Sequence, residues 1–174
     1  MRIGRACWLC SLAVLVVVGW STPASAAETG KACALLTPEE IEAATGLKIS
    51  ALNPGAAPGS VANPGTADLC SGATPAATIL LRLAKKSGAA GREAKGIEAV
   101  KKMGAQVDVK NFGPITCSAL VPPANLAAQV PFNTTCTVTK GEVVAGIEVT
   151  TRTRKDMVSI DKLRPLAEKM AQRF

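Results

Sequence analysis

The stretch Cys33-Ala34-Leu35-Leu36-Thr37-Pro38-Glu39-Glu40-Ile41 marks the start of the folded domain. Thr37 can cap the free backbone amides of a new helix, and Pro38 suits the first helical position. Glu40 stands three residues after Thr37, which is the spacing of a capping box. The stretch therefore predicts a short helix that begins at Pro38 and is closed by Gly46.

The residues before this stretch have the pattern of a secretion signal. Arg2 and Arg5 give a positive start, and an apolar core at residues 12–18 is too short to span a membrane as an anchor. Small residues at positions 24–26 supply a cleavage site. The cysteines of this segment precede its apolar core, so ordinary cleavage is favoured over lipid anchoring. We expect a cleaved signal at residues 1–26.

Residues 27–174 are the length of one domain, and no later apolar run approaches membrane-spanning length. Loss of the signal lowers the net charge from +7 to +5 and removes both tryptophans. The chain also lacks tyrosine and histidine. The prediction is a single exported domain, periplasmic or extracellular, with no stable membrane anchor after cleavage.

The absence of histidine excludes several kinds of catalytic site. Ser-His-Asp and Cys-His nucleophile systems need an imidazole, as do histidine-based zinc sites. Carboxylates or a Ser–Lys pair such as Ser87 with Lys86 stay open as enzyme chemistry. No glycine-rich phosphate loop follows a strand. The sequence therefore favours a non-catalytic protein without cofactor or metal.

The remaining pattern predicts an α+β fold, with an antiparallel sheet against which an N-terminal, a middle and a C-terminal helix pack. Alternating apolar residues indicate strands at 78–83, 115–121, 134–139 and 142–152, the last two joined by a tight turn at Lys140-Gly141. Helical spacing indicates a middle helix at 92–103 and a C-terminal helix at 162–173.

Details of three segments are also predicted. Ile97, Val100 and Met103 form the apolar side of the middle helix, whereas Pro165 lies near the first turn of the last one. A partner-binding or membrane-surface role of the last helix is the alternative to packing on its own sheet. Two Asn-Pro-Gly sequences, at residues 53–55 and 63–65, predict turns in an exposed loop.

Four cysteines follow the signal, an even number that points to disulfides in an exported chain. Four cysteines allow three pairings, of which we favour Cys33–Cys70 and Cys117–Cys136. Zinc or redox chemistry is the alternative. It is disfavoured because the chain has no Cys-x-x-Cys pair and no histidine.

Basic residues fall in two sequence clusters that form a candidate anion-binding site. Such patches can meet anionic lipid, acidic polysaccharide or an acidic protein, and solvated faces that aid solubility are the alternative. Nucleic acid is disfavoured because of export and because few aromatic side chains could stack on bases. The candidate residues are Lys85, Lys86, Lys101, Lys102, Arg152, Arg154 and Lys155.

The opening motif, with Gly46 after it and Cys70 ahead of a strand, resembles a family of small exported domains of unknown function. These are mainly actinobacterial lipoproteins that begin Cys-x-Leu-Leu-Thr-x-Glu-Glu. The resemblance implies an α+β, PsbP-like envelope domain, and it brings no catalytic residues. The chain departs from the family pattern in lacking a lipid-anchor cysteine and in its extra pair, Cys117 and Cys136.

Three hypotheses about function follow from the sequence. The first is a non-catalytic envelope protein that binds another protein or an anionic envelope component. The second is a carrier of a small apolar or lipid ligand in a pocket between sheet and helices. The third is an enzyme that uses carboxylates or the Ser–Lys pair.

Overall fold

The protein is described by a computed structural model that covers residues 30–55, 67–86 and 90–174. The predicted signal, the second Asn-Pro-Gly and Ser87 lie outside these residues. The helices are α1 (Pro38–Thr45), α2 (Ala90–Lys102) and α3 (Ile160–Ala171). The strands are β1 (Asn53–Pro54), β2 (Ala67–Ala73), β3 (Ala77–Lys85), β4 (Gln106–Phe112), β5 (Ile115–Val121), β6 (Phe132–Lys140) and β7 (Val143–Thr151).

All seven strands belong to one antiparallel sheet in the order β1-β2-β3-β7-β6-β5-β4. Two meanders, β1 to β3 and β4 to β7, meet where β3 pairs with β7. The connection that contains α2 carries the chain from the middle of the sheet to its far edge at β4. The predicted α+β class with an antiparallel sheet is confirmed.

The hydrophobic core lies on one face of the sheet, which we call the helix face because α1 and α3 pack there. Alternate strand residues such as Leu81, Ile147 and Val138 point to this face and are almost completely buried. The apolar stripe of α3 meets them. Its residues Leu163, Leu166, Ala167 and Met170 are all buried.

Both predicted disulfides are confirmed, and both lie on the helix face. Cys33–Cys70 joins the segment before α1 to β2, while Cys117–Cys136 joins directly opposed residues of β5 and β6. Cys70, Cys117 and Cys136 are inaccessible to solvent. The two cross-links therefore fasten different parts of the core.

The predicted start and end of α1 are also confirmed. The Glu40 amide donates to the Thr37 hydroxyl and the Thr37 amide donates to the Glu40 carboxylate, so both halves of the capping box form. Gly46 ends the helix with φ of +80°, a left-handed conformation that glycine adopts without steric cost.

Several local predictions are wrong in detail. The two-residue loop of the β6–β7 hairpin is Gly141-Glu142, because Lys140 already pairs with Val143. Helix α3 begins at Ile160, two residues earlier than predicted, so Pro165 lies inside it and not near its first turn.

Three further differences concern β1, the end of α2, and the strands β2 and β4. The first Asn-Pro-Gly places Asn53 and Pro54 in β1, paired with β2, instead of in a turn. Met103 follows the end of α2 and is 54% exposed, so it does not pack. The strands β2 and β4 were not predicted. The sequence of β2 has no apolar alternation, and that of β4 alternates only from Gln106 to Lys110 with two valines as its apolar residues.

Gly72 in β2 provides a test of how closely the segment before β1 packs on the sheet. A Cβ atom at this position would lie 2.7 Å from Cγ2 of Ile49 and 3.1 Å from the Ala51 carbonyl oxygen. We expect Gly72→Ala to lower the free energy of unfolding by about 1 kcal/mol through overpacking. The measurement is urea unfolding followed by circular dichroism.

The matched control is Gly96→Ala in α2, where no described atom other than those of its chain neighbours and the helix's own backbone would lie within 4 Å of the new methyl group. Because alanine is favoured over glycine in a helix, this variant should be stabilised by about 0.5–1 kcal/mol. Equal effects of the two substitutions would contradict the close packing at Gly72.

Candidate functional site

The fold regroups the predicted basic residues into two sets at opposite ends of the sheet. Lys85 pairs with Val143 beside the β6–β7 turn, and Lys86 follows it. Thr151 is the last residue of β7, so the cations that follow it lie at the other end. Eight strand steps separate these ends, a distance of roughly 27 Å. The lysines that are close in sequence, at positions 85–86 and 101–102, are divided between these two ends.

Lys101 and Lys102 belong to the same end of the sheet as the residues after β7. They close α2, which ends four residues before β4 begins at Gln106. Gln106 pairs with Val121, at the end where β5 leads toward β6 and β7 terminates. We call the following five cations the basic end: Lys101, Lys102, Arg152, Arg154 and Lys155.

Two local structures present these cations. After α2 the Gly104 amide donates to the Lys101 carbonyl at 2.9 Å, and Gly104 has φ of +87°, which turns the chain into β4. After β7 a 3₁₀ helix at Arg154–Asp156 holds Arg154 and Lys155 on the surface. The Thr153 hydroxyl donates to the Asp156 carboxylate and fixes this turn.

An open depression with a volume of about 450 Å³ lies at the basic end. Its lining is largely apolar and comes from the start of β4, the end of β5, the Pro122-Pro123 connector and the first residue of β6. Among the described residues that line it, Arg154 carries the charged side chain. The residues that line it include Gly104, Val121, Ala127 and Phe132.

The cations of the basic end are weakly compensated. Lys101 lies 3.9 Å from the Glu98 carboxylate, but both side chains are exposed, and such pairs contribute little. Within residues 30–55, 67–86 and 90–174, no carboxylate forms a salt bridge with Lys102, Arg152, Arg154 or Lys155. The positive charge of Arg154 therefore borders a largely apolar depression, an arrangement that suits an anionic group attached to an apolar one.

The candidate acids for enzyme chemistry are not gathered in a cleft. Glu142 lies in the β6–β7 turn and Glu148 is six residues farther along the chain in β7, a separation of roughly 20 Å. Glu40 contacts Arg173 and Lys169, and its pKa is lowered to about 2, chiefly by the Arg173 hydrogen bond. An ionised carboxylate of this kind is a poor proton donor at neutral pH.

The sequence Asn133-Thr134-Thr135 matches a sequon for N-glycosylation, and its side chains make contacts within the protein. The Asn133 amide nitrogen donates to the Glu148 carboxylate at 2.6 Å and to the Thr150 hydroxyl at 3.2 Å. The Thr134 hydroxyl is buried and donates to the Val158 carbonyl. This sequence therefore has a structural role in joining β6 to β7 and to the segment before α3.

The proposed pocket between sheet and helices is filled by core side chains in the described part of the chain. Leu163 and Met170 are inaccessible to solvent, as are Ile79 and Ile147 of the facing strands. The described part of the chain contains no group of three or more His, Cys, Asp or Glu side chains that could hold a metal ion. It also contains no helix of the length and hydropathy needed to cross a membrane.

Sequence reasoning missed the apolar part of the site. In the sequence, Pro122-Pro123 marks only the end of the strand at 115–121, whereas in the fold both prolines line the depression together with Phe132. The sequence did contain an indication of this apolar surface, since Phe132 is one of three phenylalanines and follows a proline-rich connector. Its proximity to Arg154 depends on the β6–β7 register, which places Phe132 opposite Thr151.

Comparison with known proteins gives a likeness to a solved structure. No protein-family model matches the sequence, and no curated protein matches it either. The extracellular domain of PknH from Mycobacterium tuberculosis has a similar fold, with a TM-score of 0.51 and 12% sequence identity. The alignment covers 82% of this chain and 93% of that domain. At this identity the likeness shows the fold alone.

Proposed function

We propose that the protein is an exported, non-catalytic envelope domain that binds an anionic envelope component at the basic end. The observation that carries the proposal is the convergence of two distant cationic segments on one apolar depression. Arg154 lines the depression, so a bound anion can meet its guanidinium while an attached apolar group contacts Phe132 and Pro122.

Export is supported by the signal pattern at residues 1–26 and by the two disulfides, which form and persist in oxidising compartments. A domain with the same fold is extracellular in PknH. The family resemblance of the opening motif agrees with an envelope location. A non-catalytic role is supported by the absence of histidine and by the separation of the carboxylates.

The proposal predicts that the protein binds vesicles of phosphatidylglycerol mixed with phosphatidylcholine, or acidic polysaccharide, and not vesicles of phosphatidylcholine alone. The two anionic arms distinguish a lipid headgroup from a polysaccharide. Binding measured by co-sedimentation should weaken as salt rises, because exposed charges are screened beyond about 8 Å at physiological ionic strength. The double variant Arg154→Glu with Lys155→Glu should bind at least about tenfold more weakly.

A matched control reverses two charges at the opposite end, with Lys85→Glu and Lys86→Glu. It has the same net charge as the first variant, so it separates a local site from general attraction. We expect its affinity to stay within about twofold of the unmodified protein at physiological salt. Equal losses in both variants, or no binding to either anionic arm, would contradict the proposal.

A further inference from the structure

The two edges of the sheet differ in a way that the proposed function does not explain. The edge at β1 has only two residues, one of which is Pro54. The edge at β4 has seven residues and no proline, and its Asp108, Val109, Lys110 and Asn111 are all exposed. Long uncovered edge strands are templates for pairing with another strand.

The direction of the β4 backbone follows from the neighbouring disulfide. Cys117 and Cys136 have Cα atoms 4.1 Å apart, the short spacing of a non-hydrogen-bonded pair between β5 and β6. The amide and carbonyl of Cys117 therefore face β4, where its partner is Lys110. The polar backbone groups of Val109 and of its second neighbours along β4 consequently face outward from the sheet.

We propose that β4 is a dimer interface, at which two copies of the chain join their sheets through antiparallel β4–β4 pairing with a two-fold axis at Val109. In this register Val109 lies opposite the partner's Val109. Asp108 then lies opposite the partner's Lys110, and Lys110 opposite the partner's Asp108. About six backbone hydrogen bonds can form across the edge.

Charge selects this register. A shift of two residues would place Asp108 against the partner's Asp108, or Lys110 against the partner's Lys110, and like charges directly opposed are destabilising. A shift of one residue would exchange the two faces of the strand. Within one copy, Lys110 lies 3.9 Å from an exposed Asp161, a weak contact that leaves its charge available.

Exposed apolar side chains favour the same edge. Among the described residues, the exposed large hydrophobic side chains are Val109, at 40%, and Met103, at 54%, which precedes β4 by three residues. Pairing across the two-fold axis would bury the Val109 side chain against its counterpart. The occupant that matches the charges and the apolar centre of this strand is a second copy of it.

The test is sedimentation equilibrium of the mature chain and two single variants, Asp108→Lys and Lys110→Asp. Each variant places like charges opposite each other twice, so its self-association should weaken at least about tenfold. An equimolar mixture of the two variants places opposite charges at both positions and should form a heterodimer of near-normal affinity. The double variant with both substitutions should form the normal homodimer again.

Val109→Pro provides an independent variant. The Val109 amide faces outward, so proline removes a hydrogen bond of the dimer and none of the β4–β5 ladder. Its self-association should be lost while the circular dichroism spectrum is unchanged. A mature chain that stays monomeric up to about millimolar concentration, or single variants that self-associate normally, would overturn the proposal.

Discussion

Replacement of Cys33 and Cys70 together by alanine is expected to lower the free energy of unfolding by about 4 kcal/mol. The two cysteines are 37 residues apart, and a cross-link over such a loop removes much conformational entropy from the unfolded chain. Alanine is the suitable replacement because Cys70 is fully buried and a serine hydroxyl would require a hydrogen-bond partner there. Urea unfolding of residues 27–174 followed by circular dichroism measures the effect, since this part of the chain has no tryptophan or tyrosine.

The comparison variant replaces Cys117 and Cys136, which are 19 residues apart, and should lose about 3 kcal/mol. These residues stay neighbours through the β5–β6 ladder. The segment before α1 likewise keeps a connection to β2 without its disulfide, because the Asp68 carboxylate accepts hydrogen bonds from the Gly30 and Ala32 amides. A smaller loss from the Cys33–Cys70 pair than from Cys117–Cys136 would contradict the loop-entropy account.

Local chemistry explains which elements the sequence predicted well. Helix α1 is specified by adjacent residues, because Thr37, Glu40 and Gly46 satisfy its terminal backbone groups. The β6–β7 hairpin is similarly local, with inward residues such as Val138 and Ile147 alternating with polar ones. The cysteine pairing followed from the placement of these elements.

Strands β2 and β4 were not found from apolar periodicity. Strand β4 alternates over only five residues, with Val107 and the exposed Val109 as the apolar ones, so its period of two is short and weak. Strand β2 contains Asp68 and Gly72, which reflect contacts with segments far along the chain. Both strands exist because neighbouring strands offer them hydrogen bonds, and that information is non-local.

The sequence identified candidate cations for the site, but it did not predict how the fold arranges them. Seven cations were identified, but sequence proximity grouped Lys85 with Lys101, whereas the sheet places them at opposite ends. Only the crossover from β3 through α2 to β4, two strands that run in the same direction, brings Lys101 to the end where Arg154 lies. Topology therefore decides which charges can act together.

Glu40→Gln is expected to destabilise the protein by about 2 kcal/mol at neutral pH. The Glu40 carboxylate accepts two hydrogen bonds of 2.7 Å from the Arg173 guanidinium and one of 3.1 Å from Lys169, so it ties α1 to the C-terminal end of the chain. Its pKa is lowered from 4.5 to about 2. The expected loss is smaller than the full linkage value because the side chain is 19% exposed and solvent screens the pair.

The same interaction makes stability depend on pH in a defined window. Because the pKa of Glu40 is lower in the folded state than in the unfolded state, its contribution is fully present above pH 4.5 and is lost as the pH falls through about 2. Unfolding measured between pH 2 and 7 should show the gap between native protein and Glu40→Gln closing in that range. The control Glu42→Gln, whose carboxylate has only an exposed 3.9 Å contact with Lys48, should change stability by less than about 0.5 kcal/mol. A gap between the native protein and Glu40→Gln that stays constant down to pH 2 would show that Glu40 acts through neutral hydrogen bonds alone, and would contradict the ion-pair account.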